Sequence, residues 1–237
     1  MISKIPKNTH RQYISEDSNK KVPSVTELLN VVAKPYLVPW ANRMGLQGVD
    51  INQYNAEITG IGTMVHGKIE AYYQGREFDV SGYPSEMKEK ADELFIKFLT
   101  WENEHDVKII YNELPMISEK FGGTIDAVME LDGKLTVIDW KTSKEIYPEY
   151  FGQLTAYYYL MNRGKPMNDA DPSDVRDLGN KIEQVGIVHI PKEDSVASMK
   201  IVPVRSELFK IGWEFFSSCL KLYNSNRILQ TYNYKEE

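Results

Sequence analysis

The chain has 237 residues, 42% of them hydrophobic, with 28 Lys and Arg against 34 Asp and Glu for a formal net charge of −6. That length fits one large domain or two small ones, and a fold of this size buries on the order of 70% of its chain surface without a disulfide or metal staple. One cysteine, Cys219, excludes an internal disulfide, a zinc ribbon and an iron–sulfur cluster held by four thiolates of one chain. No apolar run approaches the roughly 18 residues of a membrane span, and the opening MISKIPKNTH lacks the apolar core of a secretory signal, so a soluble intracellular protein is expected.

Charge is unevenly spread. Residues 1–45 hold seven basic groups (Lys4, Lys7, Arg11, Lys20, Lys21, Lys34, Arg43) and three acidic ones (Glu16, Asp17, Glu27), net +4, which leaves −10 for the rest. A basic front permits a nucleic-acid partner that the acidic body would repel, although a solvated arm explains it equally well.

In chain order, residues 1–22 are polar and aperiodic and read as a flexible basic arm or a loosely docked strand. After Pro23, Ser24 or Thr26 can cap a short helix through Val32. The stretch 34–58, with two prolines and two glycines among aromatic and apolar residues, fits either short helices or an ordered loop. Residues 23–60 together form a helical elaboration. Apolar spacing then predicts helices over 61–74 and 85–105, strands near 107–114, 121–131 and 134–142, and a helix over 148–162 opened by Pro148. Residues 163–181 read as a surface excursion. Strands near 184–190 and 197–204, a helix over 206–223 and a tail from 226 to 237 complete the chain. The order suits an α/β domain around one mixed sheet flanked by helices.

The most informative segment is GTIDAVMELDGKLTVIDWKTS, residues 123–143. Asp132-Gly133 between two alternating runs signals a two-residue hairpin with Leu131 facing Lys134. That register pairs Ile125 with Trp140, Ala127 with Ile138 and Met129 with Thr136 on a largely apolar face. The opposite face pairs Val128 with Val137, Asp126 with Asp139 and Thr124 with Lys141. Two carboxylates then lie roughly 5 Å apart at Cβ, an arrangement that destabilises a sheet unless something cancels the repulsion. Lys141 projects from the same face. The group is either a self-neutralised polar cluster or a divalent-metal site, since a hard cation prefers carboxylate oxygens.

Other candidates are separated in sequence. Glu113 sits near the end of the preceding strand. His66 lies on an amphipathic helix four residues before Glu70, a spacing that permits a hydrogen bond between them. Gln153 and Tyr157 share a face of the helix after the hairpin, which by itself is ordinary packing. His10, His105 and His189 show no ligand spacing. Asp169-x-Asp171-x-Ser173 opens like a calcium loop but continues with Asp174 and Asn180 where Gly and Glu are needed. Phosphate-loop, Rossmann and nucleophile-elbow motifs are absent.

In the order GTMVHGKIE, NELP, GGTIDAV, VIDWKTS and GQLTAYYYL, these residues resemble the PD-(D/E)XK nuclease superfamily in its RecB-type branch. The opening VPSVTELL is similar to a segment of phage exonucleases and of the mitochondrial genome maintenance exonuclease family. The resemblance implies a PD-(D/E)XK core over 61–225 and a Mg²⁺- or Mn²⁺-dependent DNA exonuclease that prefers single-stranded ends, serving replication, recombination or repair. Asp126, Asp139, His66 and the Trp140 carbonyl would bind the metal. Lys141 would orient the attacking water and stabilise developing charge, while Glu113 would hold a water of the metal or a second ion. Gln153 and Tyr157 would steady Lys141 or the phosphate. Ser24, Thr26, Lys34, Tyr36, Trp40, Arg43, Thr142 and Ser143 would contact DNA. Related nucleases that carry an iron–sulfur cluster hold it with several cysteines, of which this chain has only Cys219. The expected location is the cytoplasm of a bacterium or phage-infected host rather than a mitochondrion. The other readings are a PD-(D/E)XK endonuclease and a non-catalytic DNA-end-binding module, whose signature would be loss of Asp126, Asp139 or Lys141.

Overall fold

A computed structural model describes residues 11–15, 18–193 and 195–232. Lys4, Lys7, His10, Glu16 and Asp17 lie outside these residues, as does 233–237 of the expected tail. The centre is a six-stranded mixed sheet in the order β6-β3-β4-β5-β7-β8. Strands β3 (Val107–Ile117), β4 (Gly122–Leu131) and β5 (Lys134–Lys141) form an antiparallel meander. Helix α5 (Pro148–Arg163) carries the chain over to β7 (Gln184–His189), parallel to β5, and β8 (Ser198–Pro203) closes that edge.

Strand alternation sends side chains to two cores. Val128, Val137, Val185 and Ile187 pack against α1 (Val25–Leu29), α5 and α7 (Glu207–Thr231), with Leu28, Leu154, Leu160 and Phe216 at the contact. Ala127, Met129, Ile138, Trp140 and Val188 pack on the opposite face against α3 (Ile51–Tyr73) and α4 (Ser85–Asn103), through Met64, Ile69, Leu94, Phe98 and Trp101. No helix among the described residues is long and apolar enough to cross a membrane.

Several elements depart from the sequence expectation. Helix α3 begins ten residues before the predicted start, because Asp50 caps it: its carboxylate accepts from Asn52 N at 2.8 Å and Gln53 N at 3.1 Å. The ambiguous 34–58 stretch therefore becomes α2 (Leu37–Leu46), which buries none of its side chains, followed by the first turns of α3. Residues 1–22 are open in the sequence between a flexible arm and a loosely docked strand; in their described part β1 (Tyr13–Ser15) and β2 (Lys20–Val22) pair antiparallel, with the Tyr13 ring over Gly122 and its hydroxyl 3.0 Å from Thr124 Oγ1. The excursion at 163–181 contains a short strand, β6 (Lys165–Pro166), and helix α6 (Pro172–Gly179). Asp171, part of the rejected calcium-loop pattern, caps α6. The last helix runs to Thr231, eight residues past its predicted end.

The predicted turn holds: Asp132 and Gly133 have φ of 50° and 77°, as a type I′ turn requires. A Cβ on Gly133 would meet no atom within 4 Å, so the cost of adding one is conformational alone. Gly133→Ala is expected to lower stability by about 1 kcal/mol in urea unfolding with unchanged m-value.

Candidate active site

The β4–β5 ladder follows the predicted register from Leu131–Lys134 to Ala127–Ile138 and then ends, one pair short of Asp126 and Asp139. Instead of ladder partners, the strands share a side-chain bond in which Trp140 N donates to Asp126 Oδ2 at 2.8 Å. Ile125 departs from the predicted face, joining Val128 and Val137 in the α5 core rather than Ala127 and Trp140. Strand β3 turns over at the matching position. Asn112 donates to Glu70 O on the α3 side at 2.9 Å, whereas Leu114 packs in the α5 core. Between them Glu113 adopts φ of 52°, a conformation costing about 1–3 kcal/mol for a non-glycine residue. Since Asn112 pairs with Ala127 and Leu114 with Ile125, Glu113 stands opposite Asp126. It is a mid-strand residue rather than a strand-end one, as β3 continues to Ile117.

His66, on α3, completes a group of three. One ligand atom each from His66, Glu113 and Asp126 lies within 4.8 Å of the others, with His66 Nδ1 3.6 Å from Asp126 Oδ2. The Trp140 backbone carbonyl lies near enough to His66 to act on its ring against the downward shift. The suggested His66–Glu70 bond is not made. Glu70 instead accepts from Arg76 at 2.9 Å and Gln74 at 3.2 Å, because its side chain turns toward the helix end.

Asp139 lies beside this group, 1% exposed, with Oδ2 2.6 Å from Lys141 Nζ. Among the described residues, Oδ1 has no hydrogen-bond donor. Lys141 donates to Gln153 Oε1 at 3.0 Å and sits over the Tyr150 ring at 4.7 Å. Gln153 Nε2 in turn donates to the Tyr157 hydroxyl at 2.7 Å. The i, i+4 pair on α5 thus fixes the end of a polar chain running from Asp139 through Lys141 and Gln153 to Tyr157.

Burial and mutual repulsion dominate the electrostatics. Burial, then the Asp126 and Glu70 charges, push Glu113 up to about 9. Burial also pushes Asp139 up to about 7 despite Lys141, and raises Asp126. Burial and the Lys141 charge push His66 down to about 4, leaving it neutral at pH 7. For Lys141, burial alone would lower the value, but Asp139 and Asp126 outweigh it and the net shift is upward. Its ammonium is therefore a charged donor in the metal-free site rather than a base.

The group opens onto a cleft of about 590 Å³ walled by Thr59, Gly62, Thr63 and His66 of α3, by Thr142 and Ser143 after β5, and by Tyr150 and Lys192. The loop after β5 is held by His189, whose Nε2 meets Ser143 O at 2.7 Å. Thus Thr142 and Ser143 border the site. The other proposed DNA contacts lie outside this cleft. Ser24 caps α1 and, with Thr26, lines a separate hollow of about 390 Å³ beside Arg11, Lys21 and Asn30. Lys34 already pairs with Glu149, and Trp40 packs on Tyr54 at 5.9 Å between centroids. Tyr36 and Arg43 are exposed on the α2 segment. Sequence reasoning missed Tyr150, His189 and Lys192, none of which carries a spacing signal.

These residues fit a divalent cation. A buried carboxylate oxygen lacks a donor, three ligand atoms converge, and the donors are the oxygen and imidazole types such ions take.

A pH dependence follows for the metal-free protein. Asp139 and Glu113 have pKa values of about 7 and about 9 in the fold, above their ordinary 3.8 and 4.5, so their contribution favours the fold below about pH 4 and is lost as pH rises through 7 and 9. His66, depressed to about 4, acts oppositely and only below its ordinary 6.5. In EDTA the melting temperature should therefore fall from about pH 6.5 to about pH 9, and Mn²⁺ should abolish the fall. Differential scanning fluorimetry checks both; a flat profile in EDTA would contradict the raised carboxylate values.

Fourteen solved chains match this one. The crystal structure of SSO0001 is 16% identical over 68% of this chain and 74% of that chain, with a TM-score of 0.30, an overlap too loose to support any inference. No curated protein matches. The family model of the PD-(D/E)XK nuclease superfamily, whose members use divalent metals, matches residues 41–203, a span containing His66, Glu113, Asp126, Asp139, Lys141, Gln153 and Tyr157. With that match over most of its length, and a six-stranded mixed sheet flanked by helices, the chain belongs to the PD-(D/E)XK nuclease superfamily.

Proposed function

We propose that the chain is a Mg²⁺- or Mn²⁺-dependent DNA exonuclease of the RecB-type branch, acting at single-stranded ends in replication, recombination or repair. The observation that carries the nuclease reading is the convergence of His66, Glu113 and Asp126 beside the Asp139–Lys141 pair at the floor of an open cleft. Preference for ends is supported by the likeness of VPSVTELL to phage and mitochondrial exonucleases. It also fits the hollow formed by Arg11, Lys21, Ser24 and Thr26, which adjoins the acidic group closely enough for Arg11 to act on Glu113.

His66, Glu113 and Asp126 would hold the ion, with Asp139 and the Trp140 carbonyl at its edge. When bound, a divalent ion supplies positive charge against the non-bridging phosphate oxygens and makes water a competent nucleophile near neutral pH. The protein's own share is orientation and charge. Lys141, held between Asp139 and Gln153, presents an ammonium to the phosphate, where a preorganised charge is worth most in a water-poor setting. Gln153 and Tyr157 keep that ammonium in place. Residues 23–60 serve as the DNA-facing elaboration of a core spanning 61–225.

Asp126→Ala, Asp139→Ala and Lys141→Ala should each lower nuclease activity by about 10²-fold or more, while circular dichroism shows the fold retained. Gln153→Ala should cost less, because it acts only through Lys141. Wild-type rates in all three direct variants would overturn the site. Incubation of end-labelled single strands, blunt duplex and closed circles with Mn²⁺ or EDTA tests the end requirement. Linear single strands should be degraded, circles should survive and EDTA should stop the reaction; circles cut as fast as linear strands would make the protein an endonuclease.

A further inference from the structure

One charged group in the cleft takes no part in the proposed hydrolysis. Lys192 follows β7 in the loop Pro191–Glu193, is half-buried, and lines the same cleft as His66, Glu113 and Asp126. Of the other half-buried lysines, Lys34 pairs with Glu149, Lys68 with Asp92 and Lys141 with Asp139, Lys88 is near enough to Asp79 to act on its carboxyl, and Lys97 gives its ammonium to two backbone carbonyls. Among the described residues, no carboxylate reaches salt-bridge distance of Lys192, whose one hydrogen bond is a long 3.4 Å contact to Ile58 O. A second cation, Lys90, acts on it as well. Burial and Lys90 push its pKa down to about 8, as expected of an ammonium awaiting an anion.

The loop that carries it is anchored. Lys97 of α4 donates to Pro191 O at 2.8 Å and to Glu193 O, so both neighbours of Lys192 are tied to the same ammonium. A half-buried cation with no counter-ion, on a loop clamped from both sides, is costly unless an anion visits it. On a net-acidic chain, at the rim of a cleft with an acidic floor, the anion that fits is phosphate on a strand passing over that floor.

We infer that Lys192 binds a backbone phosphate of the nucleic-acid strand in the cleft, away from the cleaved bond, and that Lys97 is a positioning residue for it. This rests on the nuclease reading and assigns that reading a specific strand contact. Lys192 on the cleft wall faces an acidic floor, so the strand is held by its neighbouring phosphate while the scissile one meets the floor.

The test uses the full chain and a fluorescein-labelled single-stranded oligonucleotide, with Ca²⁺ replacing the catalytic ion, and reads anisotropy across a salt series. Lys192→Gln should weaken binding about tenfold and reduce the slope of log K against log salt by about 0.7. Its melting temperature should be no lower than wild type, since an uncompensated charge has been removed. Lys192→Arg should keep the wild-type slope. Lys97→Met should weaken binding and lower the slope in the same direction as Lys192→Gln but by less, and should add little when combined with Lys192→Gln, because Lys97 acts only through the loop that carries Lys192. A folded Lys192→Gln with wild-type affinity and slope would overturn the assignment and leave the nuclease reading intact. Wild-type protein that neither binds nor cuts nucleic acid would instead remove the nuclease reading, and this contact with it.

Discussion

Everything at the centre of this molecule is arranged around carboxylates that repel one another. Glu113, Asp126 and Asp139 crowd a buried corner where Lys141 is the adjoining cation. Fully ionised, the four groups leave two negative charges uncancelled, the charge of one divalent ion. His66 stays neutral there and so offers a ring nitrogen rather than a further cation. Without the ion, the corner responds as buried acids must, by holding protons well above the usual carboxylate range.

The sheet gives way to make this corner. A regular ladder would have continued through Asp126–Asp139 with one face apolar throughout. Instead β3 and β4 each turn over at facing residues, and the freed Trp140 N–H is taken by the Asp126 carboxylate. The apolar neighbours on either side, Leu114 and Ile125 in one core and Ala127 and Trp140 in the other, hold the distortion in place by their burial. Local strain at Glu113 is thus sustained by packing on both sides of the sheet.

Five elements deliver the polar groups of the site: His66 comes from α3, Glu113 from β3, Asp126 from β4, Asp139 and Lys141 from β5, and Gln153 and Tyr157 from α5. Groups carried on packed helices and strands keep their relative positions more closely than groups on loops. Part of the cleft rim is built otherwise, from the loop after β5 braced by His189 and the loop after β7 braced by Lys97, alongside helical residues of α3 and α5. Rigid elements therefore place the acidic groups, and clamped loops place the cleft-lining Thr142, Ser143 and Lys192.

By itself the sequence determined the order of the main sheet strands and their flanking helices from α3 onward, the Asp132-Gly133 turn, and the hairpin register as far as Ala127–Ile138, because alternation and turn chemistry are local properties. Hairpin register and strand alternation also singled out Asp126, Asp139 and Lys141, whereas Gln153 and Tyr157 stand out only through the resemblance to a nuclease family, their spacing alone being that of ordinary packing. Local signals also misled: Glu70 has the right spacing for His66 yet turns to Arg76, and Asp50 was a cap hidden in a stretch with weak helix formers. Only the tertiary structure decided that the ladder opens at the acidic pair, that Glu113 meets His66 and Asp126, and that Lys192 reaches the cleft unpaired. Those outcomes depend on contacts between residues dozens of positions apart, where burial and charge act through space and leave no period in the chain.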